Sequence, residues 1–394
     1  LVRSRGLGDV YKRQPIHPAN PFDAIRQNIT EEYLSETQHY PWIVTFSGGK
    51  DSTLVAHLVF DMLLSLPPML RTRQVFFISN DTLVESPLVV KHMRQSLAEI
   101  LRAAEIFRLP VSGEITVPKL QDTFWTLLIG KGYPTPNRSM RWCTDRLKIQ
   151  PTSGYILQKV NENGKAIIVL GVRKDESATR KASIESHQNL ENSNLTPHSD
   201  LKNALVYRPI VDLSTDDVWE FLAANDPPWG GAHSDLIKLY REAAGGECPI
   251  VLSQEEAPGC GTNSSRFGCW TCTVVNKDRS LQGFVDAGKT EFTPLIEYRD
   301  WLVDIRNKPE YRQAERRNGK LTFKGGKHIP GPFTIAARQE MLAKLLKVQA
   351  AFGEELISQD EIDLIKRIWT EDLINTYSRN KLSLIHISEP TRPY

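Results

Sequence analysis

Short apolar runs alternate with longer segments of helical periodicity along the first half of the chain. The runs are rich in Val, Ile and Phe, which favours β-strands, and they cover residues 43–46, 74–79, 114–117 and 166–171. Between them, apolar residues recur at helical spacing in segments that begin at residue 52 or span 88–105 and 121–129. This alternation predicts an α/β fold with a doubly wound, mainly parallel sheet.

The second half of the chain has a different pattern. Residues 185–203 are polar and lack periodicity, which predicts a mobile connection or lid. Ser214 and Asp217 have the spacing of a capping box at the start of a helix. We divide the chain into an α/β domain at 15–225, a cysteine-containing segment at 226–300 and a basic, helical C-terminal region at 301–381.

The two ends of the chain are related to each other through the genetic code. Residues 4–14 can be encoded by a DNA string whose reverse complement encodes residues 382–392. A translated sequencing adapter produces such a pair. We therefore expect residues 1–14 and 382–394 to be adapter-derived, and the genuine fragment to lie close to 15–381 and to be incomplete on both sides.

Composition narrows the class of protein. With 40% hydrophobic and 24% charged residues, the chain is typical of soluble proteins. Its longest apolar run, residues 54–66, contains His57 and Asp61 and is shorter than the roughly 20 residues that a membrane-spanning helix needs. Five unevenly clustered cysteines are not typical of a secreted disulfide framework. We expect a cytoplasmic protein with no membrane partner.

Residues 47–52, Ser-Gly-Gly-Lys-Asp-Ser, lie between the first predicted strand and the helix that follows it. Gly48 and Gly49 allow backbone angles that other residues avoid, and the start of the helix presents unpaired N–H groups to an anion. The spacing differs from that of a Walker A loop. These features predict a phosphate cradle; the alternative is an ordinary glycine-rich turn with a capping serine.

The six residues closely resemble the pyrophosphate loop (PP-loop) of the ATP pyrophosphatase superfamily, whose members cut ATP between the α and β phosphates. The resemblance implies the adenine nucleotide α-hydrolase-like version of the α/β fold. It also implies that Lys50 neutralises phosphate charge and that Asp51 helps to hold Mg²⁺. We assign nucleotide binding to Ser47, Gly48, Gly49, Lys50, Asp51 and Ser52.

Two further residues are candidates for this site. Asp81 follows the predicted strand 74–79, at the sheet edge where ligands bind in open α/β folds, and is a candidate for adenosine or metal contact. A turn residue that satisfies its own backbone is an equally weighted alternative. Residues 171–177, GVRKDES, resemble a motif of phosphoadenosine phosphosulfate reductases, in which the arginine contacts the nucleotide; here that residue is Arg173.

The five cysteines are Cys143, Cys248, Cys260, Cys269 and Cys272. The last two form a CxxC pair, which places two thiolates on one turn where they can share a metal, and flanking glycines let the chain wrap an inorganic centre. Cys143 lies in the arginine-rich segment 134–151. An iron–sulfur cluster, a zinc site and a thiol redox pair are all compatible with this ligand type and spacing.

A basic segment lies between residues 306 and 327. It contains eight Lys or Arg residues against Glu310 and Glu315, a net charge of +6, whereas the whole chain carries +2. Concentrated positive charge with interleaved Tyr311 and Phe323 is typical of a contact with a nucleic-acid backbone, and Arg312 is among the residues expected to bind phosphate. The alternative is a solvated charged helix.

Four motifs together resemble one family. SGGKDST, RWCTDRLKI, GVRKDES and the glycine-flanked cysteines that end in GCWTC follow the order found in DndC-type sulfurtransferase subunits of bacterial DNA phosphorothioation systems. The cysteine block also resembles the cluster motif of assimilatory adenylylsulfate reductases, which carry a CC pair where this chain has only Cys143.

The resemblance implies an enzyme that adenylates a DNA backbone phosphate with ATP and Mg²⁺, so that sulfur can replace a non-bridging oxygen. Its implied catalytic residues are Lys50, Asp51, Cys143 and Arg173. A 4Fe-4S cluster would be held by Cys143, Cys260, Cys269 and Cys272, with Cys248 more typical of a buried packing cysteine. The implied partners are the DNA backbone, a cysteine desulfurase as sulfur donor and the other phosphorothioation subunits.

Two other functions fit part of the pattern. A sulfonucleotide reductase shares the loop and the GVRKDES motif but has no need of the basic segment. A non-catalytic scaffold that binds nucleotide and DNA is also possible, although the intact Lys50, Asp51 and Ser52 count against it.

Overall fold

The structure is a computed structural model, and it describes residues 20–176, 181–182, 184–185, 194–244 and 267–387, with side chains up to residue 375. Within this part of the chain, no helix combines the length and apolar character needed to cross a bilayer.

The strands are short and most of them lie in one sheet. Those described are β1 (Trp42–Thr45), β2 (Val75–Asn80), β3 (Val111–Thr116), β4 (Ala166–Val169), β5 (Leu195–Pro197), β6 (Ala204–Tyr207), β7 (Thr322–Lys324) and β8 (Lys327–Ile329). The first six form a sheet in the order β3-β2-β1-β4-β6-β5, in which only β5 runs antiparallel to its neighbour. The last two form a separate hairpin.

The helices fall into two groups. Those of the α/β part are α1 (Pro21–Leu34), α2 (Lys50–Ser65), α3 (Pro87–Ile106), α4 (Gln150–Asn163), α5 (Thr215–Ala224) and α6 (Ser234–Ala243). Those of the later part are α7 (Arg279–Asp286), α8 (Thr293–Ile305), α9 (Ile335–Phe352) and α10 (Gln359–Ile387). π-helical turns cover Thr126–Gly130 and Thr144–Ile149.

The main sheet is covered by a hydrophobic core on each face. Successive side chains of a strand point to opposite faces, so Trp42 and Val44 of β1 join one core while Ile43 joins the other. The chain adds β2 and β3 on one side of β1 and then β4 and β6 on the other. The doubly wound, mainly parallel α/β fold predicted from the sequence is therefore confirmed, and its switch point lies between β1 and β4.

One local prediction was wrong. Residues 121–129 do not form a regular α-helix: a 3₁₀ turn leads into the π-helical turn Thr126–Gly130, next to which the Trp125 indole donates to the Leu356 carbonyl at 2.7 Å. This contact is distant in sequence and outweighs the local pattern. Residues 185–203 were predicted to be a mobile connection or lid; of those that the structure describes, Leu195–Pro197 form β5 and pair with β6.

A separate hydrophobic core joins the cysteine-containing segment to the C-terminal helices. Trp270, between Cys269 and Cys272, is buried in it together with residues of α7, α8, α9 and α10. Trp125 packs against Trp270 with ring centroids 5.7 Å apart. The CxxC turn is thus part of a packed body rather than an isolated surface loop.

Candidate nucleotide and cysteine site

The loop at residues 47–52 connects β1 to α2 and closes on itself through its serines. The Ser52 hydroxyl donates to the Gly49 carbonyl at 2.9 Å and lies 3.0 Å from the Ser47 hydroxyl. The Ser47 N–H donates to the Ser52 hydroxyl at 3.2 Å. These contacts fix the shape of the loop around the amino end of α2, where N–H groups and the helix dipole favour an anion.

Glycine is required at two places around this loop. Gly48 has φ +71°, a conformation that other residues rarely adopt, and a Cβ there would lie 3.0 Å from the Met93 Cα. Gly171, just after β4, packs so closely on the start of α2 that a Cβ would meet the Asp51 carbonyl oxygen at 2.8 Å. The carboxyl ends of β1 and β4 therefore meet at the loop.

Arg173 is the third charged residue of the loop site. Its side chain is only 1% exposed, and its Nε donates to Asp51 Oδ1 at 2.6 Å, while the Lys50 ammonium donates to Asp51 Oδ2 at 2.8 Å. The Leu213 carbonyl and the Thr215 hydroxyl accept from the guanidinium at 3.2 and 3.1 Å. Arg173 thus positions Asp51, and its predicted contact with the nucleotide stays a prediction.

The predicted capping box is confirmed next to this arginine. The Ser214 hydroxyl accepts from the Asp217 N–H at 3.1 Å, and the Asp217 carboxylate accepts from the Ser214 N–H at 2.7 Å. The cap fixes the start of α5, whose first residue is Thr215. Through Thr215, the cap helps to hold the guanidinium of Arg173.

Sequence reasoning missed Tyr240, a residue of α6. Its hydroxyl accepts the Lys50 N–H at 3.3 Å. Burial raises the pKa of this phenol above its ordinary value, with Asp51 acting in the same direction. The helical pattern of α6 in the sequence places Tyr240 on the buried face, but nothing in it indicates contact with a loop almost two hundred positions earlier.

Asp81 is buried, and its contacts are those of the predicted alternative in which it holds a turn. Its Oδ1 accepts the Leu83 N–H at 2.8 Å, and its Oδ2 accepts from Arg94 at 2.7 Å. Leu83 itself has φ +64°, so the turn that Asp81 holds is an uncommon one. Both oxygens serve this turn and its ion pair, and the predicted adenosine or metal contact receives no support from this geometry.

The carboxyl end of β2 holds both described cysteine segments. Asn80 donates to the Leu147 carbonyl at 3.0 Å, in the π-helical turn that follows Cys143. The next residues pair with the CxxC turn: the Trp270 N–H donates to the Val84 carbonyl at 3.0 Å, and the Thr82 hydroxyl lies 3.5 Å from Cys269 Sγ. The sheet edge therefore brings Cys143, Cys269 and Cys272 together.

The thiols lie close enough to influence each other's ionisation. Burial raises the pKa of Cys269 to about 12, and Lys148 acts in the opposite direction. Burial also raises the pKa of Cys143, and Cys272 adds to that shift. Because a buried thiol ionises readily only beside a cation, these side chains would be deprotonated by a metal that bound them.

Three of the four predicted cluster ligands are thus neighbours. Two thiols share one turn, which is closed by a hydrogen bond of 2.9 Å from the Cys272 N–H to the Cys269 carbonyl. Within the described residues, no group of three or more His, Cys, Asp and Glu side chains is already arranged around a metal position. Cys260 and Cys248 lie outside the described residues. The donor chemistry fits a thiolate-bound cluster, and the ligand set stays a prediction.

Two arginines stabilise the CxxC turn and the residues after it by donating to their backbone carbonyls. The Arg299 guanidinium is buried and donates to the backbone carbonyls of Cys272, Val275 and Asn276. Arg306 donates to the Thr273 carbonyl at 2.8 Å. An open cleft of about 380 Å³ lies next to these contacts, between residues 137–139 and 273–276.

The basic segment at residues 306–327 does not form the solvated charged helix that was the alternative to a nucleic-acid contact. It contains turns and the β7–β8 hairpin, whose tip Gly325-Gly326 has positive φ at both residues. Phe323 on the hairpin is 61% exposed, and Lys320, Lys324 and Lys327 are exposed around it. The hairpin therefore presents exposed Lys324 and Lys327 on one face and the exposed Phe323 ring, paired with His328, on the other.

One part of the expectation for this segment concerns Arg312. Its guanidinium donates to the carbonyls of Arg306, Pro330 and Gly331, and it lies 5.0 Å from the centre of the Phe333 ring. Burial lowers its pKa to about 10, and Arg316 adds to the shift. Arg312 holds the segment's own fold, and its predicted role as a phosphate contact receives no support from this geometry.

Comparison with known proteins gives a family for the chain. The family model of the phosphoadenosine phosphosulfate reductase domain matches residues 41–275. An uncharacterized protein of Methanocaldococcus jannaschii is 26% identical over 257 residues, which are 65% of this chain and 40% of that protein. The chain therefore spans well under half the length of that relative.

Solved structures resemble the chain only in part. A phosphoadenylyl-sulfate reductase from Candida auris is 14% identical with a TM-score of 0.32, and the match covers 52% of this chain and 84% of that one. An FMN adenylyltransferase from Candida glabrata is 13% identical with a TM-score of 0.33, over 83% and 81% of the two chains. A U34-tRNA thiolase from Methanococcus maripaludis, with its 4Fe-4S cluster, is 14% identical with a TM-score of 0.31, over 66% and 90%.

The family match includes the loop at residues 47–52, Arg173 and all five cysteines. It covers more than half of the chain, and the chain therefore belongs to the phosphoadenosine phosphosulfate reductase domain family.

Proposed function

We propose that the chain is an ATP-dependent sulfurtransferase that adenylates a DNA backbone phosphate and lets sulfur replace one of its non-bridging oxygens. The observation that carries the proposal is the placement of a charged phosphate loop and three thiols at one edge of the same sheet. Such a site can activate an oxygen for departure and keep a sulfur-handling centre close by.

The loop's own residues account for the activation step. N–H groups at the amino end of α2 and the Lys50 ammonium would hold the phosphates of ATP, where negative charge grows as pyrophosphate leaves. Asp51 would hold Mg²⁺, although Lys50 and Arg173 now contact its two oxygens. Lys50 must therefore turn from Asp51 to the phosphates when the metal binds, which makes the two predicted roles compatible.

The cysteines would supply the sulfur chemistry. Cys143, Cys269 and Cys272, with Cys260, would hold a 4Fe-4S cluster, which when bound provides a redox-active, sulfur-containing centre. Arg299 fixes the turn by donating to the Cys272 carbonyl at 2.8 Å, and the buried Trp270 side chain anchors the turn in the core. A cysteine desulfurase is the proposed sulfur donor, and the other phosphorothioation subunits are the proposed partners.

The hairpin supports a nucleic-acid substrate. Lys320, Lys324 and Lys327 are exposed cations, and Phe323, on the hairpin face opposite Lys324 and Lys327, offers a flat apolar surface to a sugar or base. Cations on a protruding hairpin suit a backbone contact that does not depend on base identity. DNA is thus proposed as the substrate, with sequence choice coming from a partner.

The family match itself favours a second candidate, a reductase of a small sulfonucleotide. Such an enzyme would also use the loop and the cysteines, but it would release sulfite and leave DNA unchanged. The basic hairpin has no role in that reaction. The two candidates therefore differ in product and in macromolecular substrate.

The decisive experiment examines the products. The chain, expressed with partner proteins and a desulfurase, is expected to yield AMP and pyrophosphate from ATP, and phosphorothioate dinucleotides after nuclease digestion and mass spectrometry of the DNA. Sulfite from a sulfonucleotide would support the reductase, sulfur in tRNA bases would contradict a DNA substrate, and ADP with orthophosphate would contradict the loop assignment.

Salt dependence tests the DNA contact separately. Replacing Lys324 by Gln is expected to reduce the slope of log affinity against log salt by about 0.9, the value for one neutralised phosphate. Arg312→Gln is the matched comparison, because it removes the same charge from a half-buried side chain that is bonded to backbone carbonyls. It is expected to lower thermal stability and to leave the slope unchanged; the reverse result would contradict the proposed surface.

A further inference from the structure

Tyr240 lies between the phosphate loop and the cysteine turn. Its hydroxyl accepts the Lys50 N–H at the amino end of α2, and a Cβ placed on Gly49 would lie 3.3 Å from the same oxygen. An incoming phosphate would bind at this helix terminus. The tyrosine hydroxyl is therefore a side-chain part of the anion cradle.

The ring of Tyr240 faces the other half of the site. Its centroid lies 4.4 Å from that of Phe267, two positions before Cys269, and the Phe267 ring stacks on Phe284 of α7 at an interplanar angle of 5°. Trp219 holds the ring edge-on at 4.9 Å. A displacement of the tyrosine ring is thus passed directly to the segment that leads into the CxxC turn.

We propose that Tyr240 contacts a phosphate of the bound nucleotide and couples occupation of the loop to the cysteine turn through Phe267. The inference rests on the proposed nucleotide site and extends it. The hydroxyl accepts the Lys50 N–H and keeps its own proton to donate to a phosphate oxygen. The raised pKa of Tyr240 keeps that proton in place at neutral pH.

The coupling follows from close packing. The Tyr240 and Phe267 rings are in contact, with centroids 4.4 Å apart, so a shift of one ring disturbs the packing of the other. A phosphate that draws the hydroxyl toward the loop therefore moves Phe267 and the backbone after it. The first amides to report the change are those of Trp270 and Cys272, which donate to the Val84 and Cys269 carbonyls.

The test uses an ATP analogue with a methylene bridge between the α and β phosphates, which the loop cannot cut. Calorimetry measures its affinity, and hydrogen–deuterium exchange measures amide protection at residues 267–273. In the wild type, we expect the analogue to slow exchange in this peptide several-fold. Tyr240→Phe keeps the ring and is expected to bind the analogue about tenfold more weakly, the effect of one hydrogen bond to a charged group, and to lose the change in exchange.

Two further variants separate the parts of the proposal. Phe267→Leu is expected to bind the analogue as the wild type does, without the change in exchange. Tyr33→Phe is the matched control, because its buried hydroxyl donates to the Arg73 carbonyl at 2.8 Å, ahead of β2 at the opposite edge of the sheet. It is expected to match the wild type in both measurements.

The outcomes distinguish this inference from the proposed function. Wild-type affinity in Tyr240→Phe would overturn the phosphate contact. The coupling would be overturned if exchange in the wild type did not change when the protein was saturated with the analogue. It would also be overturned if Phe267→Leu showed the same change in exchange as the wild type. A wild-type chain that binds no analogue would refute the nucleotide site itself, and this inference with it.

Discussion

The phosphate loop and the cysteine turn lie at the same sheet edge but are built in opposite ways. The loop is continuous in sequence, at residues 47–52, and is completed by Gly171, Arg173 and Tyr240 from elsewhere. The cysteine turn is assembled from three separate stretches, residues 80–86, 143–149 and 267–273. A site of the first kind can be found by its motif, whereas a site of the second kind depends on the fold.

The two regions also differ in electrostatics. Around the loop, Asp51 is neutralised by Lys50 and Arg173, so the charges are paired before any ligand binds. Around the cysteine turn, burial raises the pKa values of Cys143 and Cys269, which favours their protonated form in the absence of a metal. The charged groups of the loop are therefore paired with one another before a ligand binds, whereas these two thiols favour the uncharged form until a metal is bound.

The largest effect is expected from Lys50→Ala. Loss of a preorganised phosphate contact typically lowers the rate by about 10²–10³, so pyrophosphate release from ATP should fall by that factor. Iron content should stay unchanged, because the cysteine turn is built from other stretches. Lys159→Ala, which removes an ion pair with Glu162 on α4, is the control and should retain full activity. A simultaneous loss of iron in Lys50→Ala would break the separation of the two regions.

The next effect concerns the cysteine turn. Cys269→Ser should lose most of the iron measured after anaerobic purification and should still release pyrophosphate from ATP, because the loop keeps its own contacts. Cys143→Ser and Cys272→Ser should behave in the same way. Zinc at one per chain without iron would refute the cluster and support the zinc alternative.

The fourth ligand is decided by the same measurement. Cys260→Ser should lose the iron, whereas Cys248→Ser should keep it. The opposite pair of results would reassign the ligand to Cys248. Both residues lie outside the described part of the chain, so only the metal analysis bears on them.

The sequence predicted the fold and the loop because both depend on local patterns. Strand runs, helical periodicity and a contiguous motif are all visible within a few residues of each other. Tyr240 and the structural role of Arg312 could not be predicted, since each depends on partners brought close by the fold. Asp81 shows the intermediate case: the turn that it holds was one of its two predicted roles, and the ion pair with Arg94 was visible only in the structure.

The last effect is on stability rather than on activity: the buried histidine pair behind the loop should make folding sensitive to acid. His57 of α2 and His233 ahead of α6 are buried against each other at 3.2 Å, and burial lowers their pKa values to about 3 and about 4. In the unfolded chain these histidines bind protons as the pH falls below about 6.5, whereas in the folded chain they stay neutral until about pH 4. Their contribution to the free energy of unfolding is therefore fully present above pH 6.5 and is lost as the pH falls toward 4.

Each pH unit in that window should cost about 1.4 kcal/mol of unfolding free energy per histidine. The measurement is chemical denaturation between pH 7.5 and 5, followed by tryptophan emission. One variant keeps only Trp219 and Trp229, which report on the nucleotide side, and a second keeps only Trp270 and Trp301, which report on the cysteine side. His57→Gln should flatten the pH dependence, because its neutral amide fills much of the same space without binding a proton. Because the two histidines pack between α2 and α6, acid should destabilise the packing of α2 before it destabilises the cysteine turn. Equal acid sensitivity of the two tryptophan pairs would show that the two regions unfold as one unit.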